Sequence, residues 1–410
     1  MITRLLRPDE AWKADIAKAV AFEFGIDIEK KKEECREPKA KEPYTGSLPH
    51  DDRSPMTWAS FADDDETLFG CVGVDAFPTR FDGHVALMGG VGGVATLPQH
   101  RRHGAIRACM QAAFADMYEK DYLLTSLYPF RTAYYRKFGY ELGGTVVEWT
   151  IPMDAMRLPD VGGTITQLLP GDDLAPVTEI YNAAATDWNL STVREIFDAE
   201  LAKENTLEKK RYLYLWRDDS GEPRGFMLFT KKDGVMDCTT KFGMANGLMF
   251  RDATALTALL KFAQAFAADY SAIRLALPEN IRIDSLIAEQ TRVQREAAFN
   301  GMARFVSVRR ALELCRTQGA GTLRIAVTDP MLPQNEGVWQ ITFAPGCSNT
   351  VEKVDAPADI TLPIGTFSQL LLGVRCADDL PLMPEAVVHN PAAPFPCLFL
   401  RKTYRLFDLF

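Results

Sequence analysis

One stretch leaves few folds open: Gly89-Gly90-Val91-Gly92-Gly93-Val94-Ala95-Thr96-Leu97-Pro98-Gln99-His100-Arg101-Arg102-His103-Gly104-Ala105-Ile106-Arg107. A strand is expected over His84–Ala95, a basic turn follows Pro98, and a helix is expected from Ala105 to Lys120. The free N–H groups at such a helix start, with the positive end of its dipole, form an anion site. Gly104 lets the backbone come close to a pyrophosphate, while Arg101 and Arg102 add charge-assisted donors. The preceding glycines let the strand run close to an extended ligand, or bulge and leave N–H groups unpaired. The competing reading is a surface turn with two solvated arginines. The Gly-Lys-Ser/Thr of a P-loop is absent, as is a GxGxxG with a downstream acid.

Around this stretch the pattern is mixed α/β. Helical spacing covers Leu6–Glu23 and is followed by a charge-dense segment, Glu29–Lys41. Strands are expected at Met56–Phe61, Thr67–Val74, Tyr122–Tyr128 and Gly144–Ile151, and a short helix at Thr132–Lys137. Pro, Asp and Gly then gather at Pro152–Gly163, a linker composition. A second alternation follows, with helices at Asp172–Asp187, Ser191–Lys203 and Asp252–Tyr270 and strands at Arg211–Trp216 and Gly225–Thr230. Before its last helix, Met249-Phe250-Arg251-Asp252 has no glycine, so a second anion turn is not expected. From Asn300 a helix is expected at Arg304–Leu314, a strand pair at Thr322–Val327 and Gly337–Phe343, a strand at Ala358–Leu362 and a helix at Ile364–Leu372.

A formal net charge of -9 gives no basis for holding a phosphate backbone, so nucleic acid is not an expected partner. The eight cysteines form no CxxC pair and have no histidine at ligand spacing, so neither a metal site nor a disulfide framework is expected. No apolar run reaches the ~20 residues of a membrane span, and no signal segment is seen, which points to the cytoplasm.

The order strand, Arg101-x-x-Gly104-x-Ile106, helix, strand, then Tyr135-Arg136-Lys137-Phe138-Gly139-Tyr140 resembles the GNAT superfamily of N-acetyltransferases. There the first element is the R/Q-x-x-G-x-G/A coenzyme A loop and the second a Tyr-x-x-x-Gly-Phe/Tyr element; Ile106 departs from the small residue of that pattern. The run His100-Arg101-Arg102-His103-Gly104-Ala105-Ile106-Arg107 is similar to one branch, the enhanced intracellular survival (Eis) family, and the likeness extends along the chain. Met302-Ala303-Arg304-Phe305-Val306 is similar to the segment opening that family's third domain, and Tyr404-Arg405-Leu406-Phe407-Asp408-Leu409-Phe410 to its C-terminus.

The resemblance implies an α/β (α+β) fold: a GNAT domain over 1–153 with the cofactor site, a second GNAT-like domain without one over 154–298, and a sterol-carrier-like α+β domain over 299–410. It implies acetyl-CoA as co-substrate, with Arg101, Arg102, His103, Gly104, Ala105 and Ile106 in its binding turn; the backbone amides of Val94 and Thr96, on the strand entering that turn, are the candidate donors to the pantetheine arm and thioester. It implies an amine acceptor (an aminoglycoside, lysine side chain or polyamine) and a homohexamer.

Acetyl transfer from a thioester to an amine needs a proton for the leaving thiolate, and Tyr135 is the candidate acid, since a phenol holds its proton at neutral pH. The competing reading is a packed aromatic. The resemblance places the catalytic tyrosine there and implies that the Phe410 carboxylate reaches back to take the amine's proton, anchored by Phe407, Leu409 and Phe410. Leu409 stands where an acid can precede the terminal aromatic in that family. Cys109 and Tyr140 are expected in the core. Asp27, Glu29, Glu33 and Glu34 are expected on a solvated helix face. A carrier protein with a vestigial site and an apolar ligand in the third domain is the alternative.

Overall fold

The computed structural model describes residues 1–36, 43–195, 207–239 and 247–410. Along the chain the first strands and helices are β1 (Ile2–Leu5), α1 (Ala11–Phe22), α2 (Ile28–Arg36), β2 (Met56–Phe61), β3 (Leu68–Phe81), β4 (His84–Thr96), α3 (Ala105–Glu119), β5 (Leu124–Leu127), α4 (Thr132–Tyr135) and β6 (Glu141–Leu142). The helix expected from Leu6 therefore starts five residues later, and a strand precedes it.

The alanines of α1 explain its close seat. Ala14 and Ala17 are buried against Ala59, Phe61, Cys71 and Ala95 of the sheet, where larger side chains would hold the helix off. On the opposite face α3 buries Ile106, Cys109, Met110, Ala113, Phe114 and Met117, an apolar stripe at helical spacing.

β7 (Thr145–Pro152) enters a second sheet, completed by β8 (Thr164–Leu168), β9 (Tyr212–Arg217), β10 (Pro223–Lys232), β11 (Val235–Asp237), β12 (Leu248–Phe250), β13 (Ala272–Pro278) and β14 (Gln294–Phe299). Helices α5 (Ala175–Ala184) and α6 (Ala253–Gln264) cover it. The helix expected over Ser191–Lys203 is absent at Ser191–Glu195, and residues 196–203 lie outside the described residues.

β15 (Met302–Phe305) then returns to the first sheet, whose order is β1-β2-β3-β4-β5-β15-β6. Within it only β4 and β5 run parallel. Expecting one helix over Arg304–Leu314 was incorrect. Ser307 accepts a hydrogen bond from the Arg310 N–H and starts α7 (Val308–Leu314), leaving the residues before it to pair as a strand.

The third sheet, β18-β17-β16-β19-β20, comprises β16 (Gly321–Thr328), β17 (Gly337–Phe343), β18 (Thr350–Val354), β19 (Ile360–Pro363) and β20 (Val387–Val388). It packs with α8 (Ile364–Leu371) and α9 (Phe395–Leu398), and its core is continuous with Phe81, Met88 and Leu124 of the first sheet.

Sheet membership departs from the expected boundaries at 153/154 and 298/299. β7 pairs with β13 and β14 in the second sheet, and β15 pairs with β5 and β6 in the first. Between them the Gly143 N–H donates to the Gly301 carbonyl and the Asn300 N–H to the Gly144 carbonyl, both at 2.9 Å. β6–β7 and β14–β15 thus form one antiparallel ribbon through two sheets, each of its two halves lending an interior strand to one sheet and an edge strand to the other. Among the described residues no helix is long and apolar enough to cross a membrane.

Candidate active site

β4 is the spine of the site. Its pairing with β3 runs Gly70↔Thr96, Cys71↔Ala95, then Gly73↔Gly92, so β4 carries one extra residue. That residue is accommodated at Gly93, whose φ of +57° suits glycine. Pairing with β5 stops at Val91↔Leu127, which leaves the bulge and the strand beyond it open on that side.

Strand alternation decides which amides face the opening. The Leu97 N–H bonds the Phe69 carbonyl on β3 at 3.1 Å, so the Thr96 N–H points the other way. Val94, two residues back, shares the open edge. This is the pair of amides singled out in the sequence.

Beyond β4, Pro98–His100 forms a 3-10 turn, with the His100 ring stacked on Phe69 at 4.4 Å and His103 tilted against the same ring. Arg101, Arg102 and His103 are exposed. Gly104 precedes α3 at φ +82°, no side chain caps the helix, and a β-carbon on Gly104 would meet nothing within 4 Å. The first-turn amides at Ala105 and Ile106 therefore open onto free space, which fits an anionic group. The Ile106 side chain does not face that space: it is buried, close against Gly70, which accounts for a large residue at that place in the turn.

The corresponding helix of the second sheet is built differently. At the start of α6 the Asp252 carboxylate accepts from the Ala255 N–H at 2.8 Å and pairs with Arg224. There the chain supplies its own anion.

The C-terminus lies on β4. A β-carbon on Gly92 would stand 2.5 Å from the carboxyl carbon of Phe410, and one on Gly90 would stand 2.7 Å from its ring. The ring packs against Phe77 and Tyr128, with centroids 5.4 and 5.7 Å away. Tail anchoring differs from the expectation in one residue: Leu409 is 48 % exposed. The grip comes from Phe407, between Tyr181 and Trp188, and from Asp408. The Asp408 carboxylate is fully buried, bonded by the Thr192 hydroxyl and paired with Arg194 at 2.8 Å.

Tyr135 ends α4 and borders the same apolar cluster as Phe410. Its ring meets Phe130, Tyr134, Phe138 and Tyr140. Burial, then the neighbouring Tyr134, pushes its hydroxyl pKa up. The following Gly139 is left-handed (φ +81°), and behind it the Arg304 guanidinium donates to the Phe138 carbonyl at 2.7 Å while pairing with Asp329. Tyr140 is buried, its hydroxyl 2.9 Å from that of Thr125. Cys109 lies in the core with its thiol pushed up to about 12 by burial. Glu29 and Glu34 pair with Lys32 and Lys31 on exposed α2.

Sequence reasoning passed over Lys18, Asp75, Phe77 and Tyr128, which line the face of β4 under the tail. Only the position of the C-terminus reveals them, since each is an ordinary residue of a strand, a helix or a strand end.

Comparison with known proteins bears on the domains and the fold. Residues 49–143 match the acetyltransferase (GNAT) domain family and residues 308–385 the sterol carrier protein domain family. No curated protein matches the sequence. The fold is similar to that of a probable N-acyltransferase from Enterococcus faecalis V583, at 22% identity over 100% of this chain and 99% of the other, TM-score 0.82. It is similar to a GCN5-related N-acetyltransferase from Anabaena variabilis, at 17% identity over 100% of both chains, TM-score 0.76. It is also similar to Eis1 from Mycobacterium abscessus, at 17% identity over 99% of this chain and 100% of that one, TM-score 0.75. The bulged strand and uncapped helix lie inside the first matched segment: the chain carries a GNAT acetyltransferase domain in its first part and a sterol-carrier-like domain in its last, in a fold similar to that of Eis1.

Proposed function

We propose that this enzyme moves an acetyl group from acetyl-CoA directly to a primary amine of an aminoglycoside, a lysine side chain or a polyamine. The observation that carries the reading is the carboxyl terminus resting on Gly92, beside the bulge of β4. In this reading the Val94 and Thr96 amides bond the pantetheine arm and thioester. The amides of His103, Gly104, Ala105 and Ile106, with the Arg101 and Arg102 guanidiniums, hold the pyrophosphate.

The Phe410 carboxylate takes the proton of the incoming ammonium, and Tyr135 gives its proton to the departing thiolate. Burial keeps the Tyr135 phenol protonated at neutral pH, as an acid must be before it acts. One acetyl-CoA site per chain follows from this reading, because Asp252 fills the equivalent helix start of the second unit. Self-association as a hexamer and action in the cytoplasm belong to the same reading.

The test is release of free coenzyme A thiol with aminoglycosides, spermidine and lysine peptides, for the native chain, Tyr135→Phe and a chain lacking Phe410. Turnover lost in both variants with coenzyme binding retained is the expected result. Unchanged turnover in either variant would remove that residue from the mechanism.

A further inference from the structure

The chain sets one of its own amines at the place where an acceptor amine must sit. On α1 the apolar stripe that meets the sheet includes Ala14 and Ala17, and Lys18 takes the position one turn after Ala14, at the edge of that stripe. Instead of turning to solvent, its side chain runs over the bulge. A β-carbon on Gly93 would lie 2.7 Å from Lys18 Cε and 3.4 Å from Nζ. The adjacent Gly92 carries the Phe410 carboxyl group.

Both contacts are on the same face of the sheet. That face includes Cys71 and Ala95, which pack under α1, and Gly90, which carries the Phe410 ring. Asp75 is the strand partner of Gly90 and is half-buried. Burial raises its pKa, and the Lys18 charge opposes that rise. Among the described residues Lys18 forms no ion pair with a carboxylate.

We propose that Lys18 is a self-acetylation site: a second, intramolecular acceptor for the acetyl group. This rests on the reading that acetyl-CoA lies along the open edge of β4 with its thioester at the bulge. Lys18 Nζ attacks the thioester carbonyl carbon, the C–N bond forms and the C–S bond breaks. The ammonium sheds two protons. One leaves to solvent by way of the Phe410 carboxylate. The other ends on the coenzyme thiol, donated by Tyr135, which recovers it from the new amide nitrogen. The products are Nε-acetyl-Lys18 and free coenzyme A. Acetylation removes the positive charge that faces Asp75, so the modified enzyme presents a more acidic floor to a cationic acceptor.

The experiment incubates the full chain with acetyl-CoA and no added amine, and maps acetylated peptides over time. In parallel, free thiol release is followed with spermidine and a lysine peptide. The expected result is Lys18 carrying acetyl ahead of every other lysine, at a rate unchanged on serial dilution of the protein and lowered in Tyr135→Phe. In Lys18→Arg that peptide stays unmodified.

Added amines turned over while Lys18 stays free would overturn the proposal and leave the proposed function standing. The proposal is equally overturned if Lys18 is modified just as fast in Tyr135→Phe, which marks uncatalysed chemistry, or if its rate falls on dilution, which marks transfer between molecules. Acetylation of neither Lys18 nor any added amine would overturn the proposed function and this inference together.

Discussion

Three neighbouring glycines on β4 do different work. Gly93 supplies the left-handed residue of the bulge, while Gly90 and Gly92 leave room for the ring and carboxyl group of Phe410. A methyl at Gly92 would meet backbone atoms of the terminus, which cannot rotate away as a side-chain tip would. Gly92→Ala is therefore expected to displace the tail and lower kcat/KM roughly 100-fold, the cost of a misplacement of about 1 Å. Its Tm should stay near that of the native chain, since strand pairing is untouched. Steady-state kinetics beside thermal unfolding would check this, and native activity in Gly92→Ala would argue against a fixed tail.

At this scale the glycines of the bulge and turn could be read from the sequence, because each answers a local backbone demand. The exposed arginines of the turn and the place of Tyr135 four residues before the left-handed Gly139 are likewise local features. Lys18 and Asp75 could not be read in this way, since what distinguishes them is a chain end more than 300 residues away. Asp408 was hidden for the same reason: its partners Thr192 and Arg194 come from a different sheet unit.

Among the elements, α3 is held to the segment that enters β2 by charge. Arg53 pairs with Asp51 at 2.7 Å and with Asp116 of α3 at 2.8 Å, and the Tyr122 hydroxyl donates to Asp51 at 2.9 Å. Burial alone would raise the Asp51 pKa; hydrogen bonds from Arg53 and Tyr122 outweigh it and hold the group at about 2, below its ordinary 3.8. A carboxyl whose pKa is lower folded than unfolded stabilises the fold above the unfolded value and loses that contribution as pH falls through the folded one. The native chain should thus lose stability between pH 3.8 and about 2 more steeply than Asp51→Asn. Unfolding midpoints measured across that range give the comparison, and parallel curves would assign no role to Asp51.

Most element positions followed from apolar period and turn residues. β15 escaped because four residues, Met302–Phe305, show neither a helical nor an alternating period, and all four are buried. Their pairing with β5 is set by tertiary contacts, not by local preference.

In the whole molecule, the order of three units was legible from the resemblance, and the sheets follow it. Their exact limits were not, since alternation tells a strand's faces but not the sheet it joins. Assembly also belongs to this scale: the hexamer proposed above predicts a light-scattering mass six times the 45.7 kDa of the chain. A clean monomer at working concentration would count against it.

The ribbon joining the first two sheets bears on how the molecule comes into being. Of the first sheet's seven strands, six are complete by Leu142, yet β15, which lies between β5 and β6, is not available until the chain has been extended to Phe305. During synthesis the first sheet must therefore wait, with the flank of β5 unpaired, while the whole second unit emerges. Long-range pairings of this kind form slowly and expose strand edges in the interval. A chain released before Phe305 would carry every residue of the anion turn and no closed sheet beneath it.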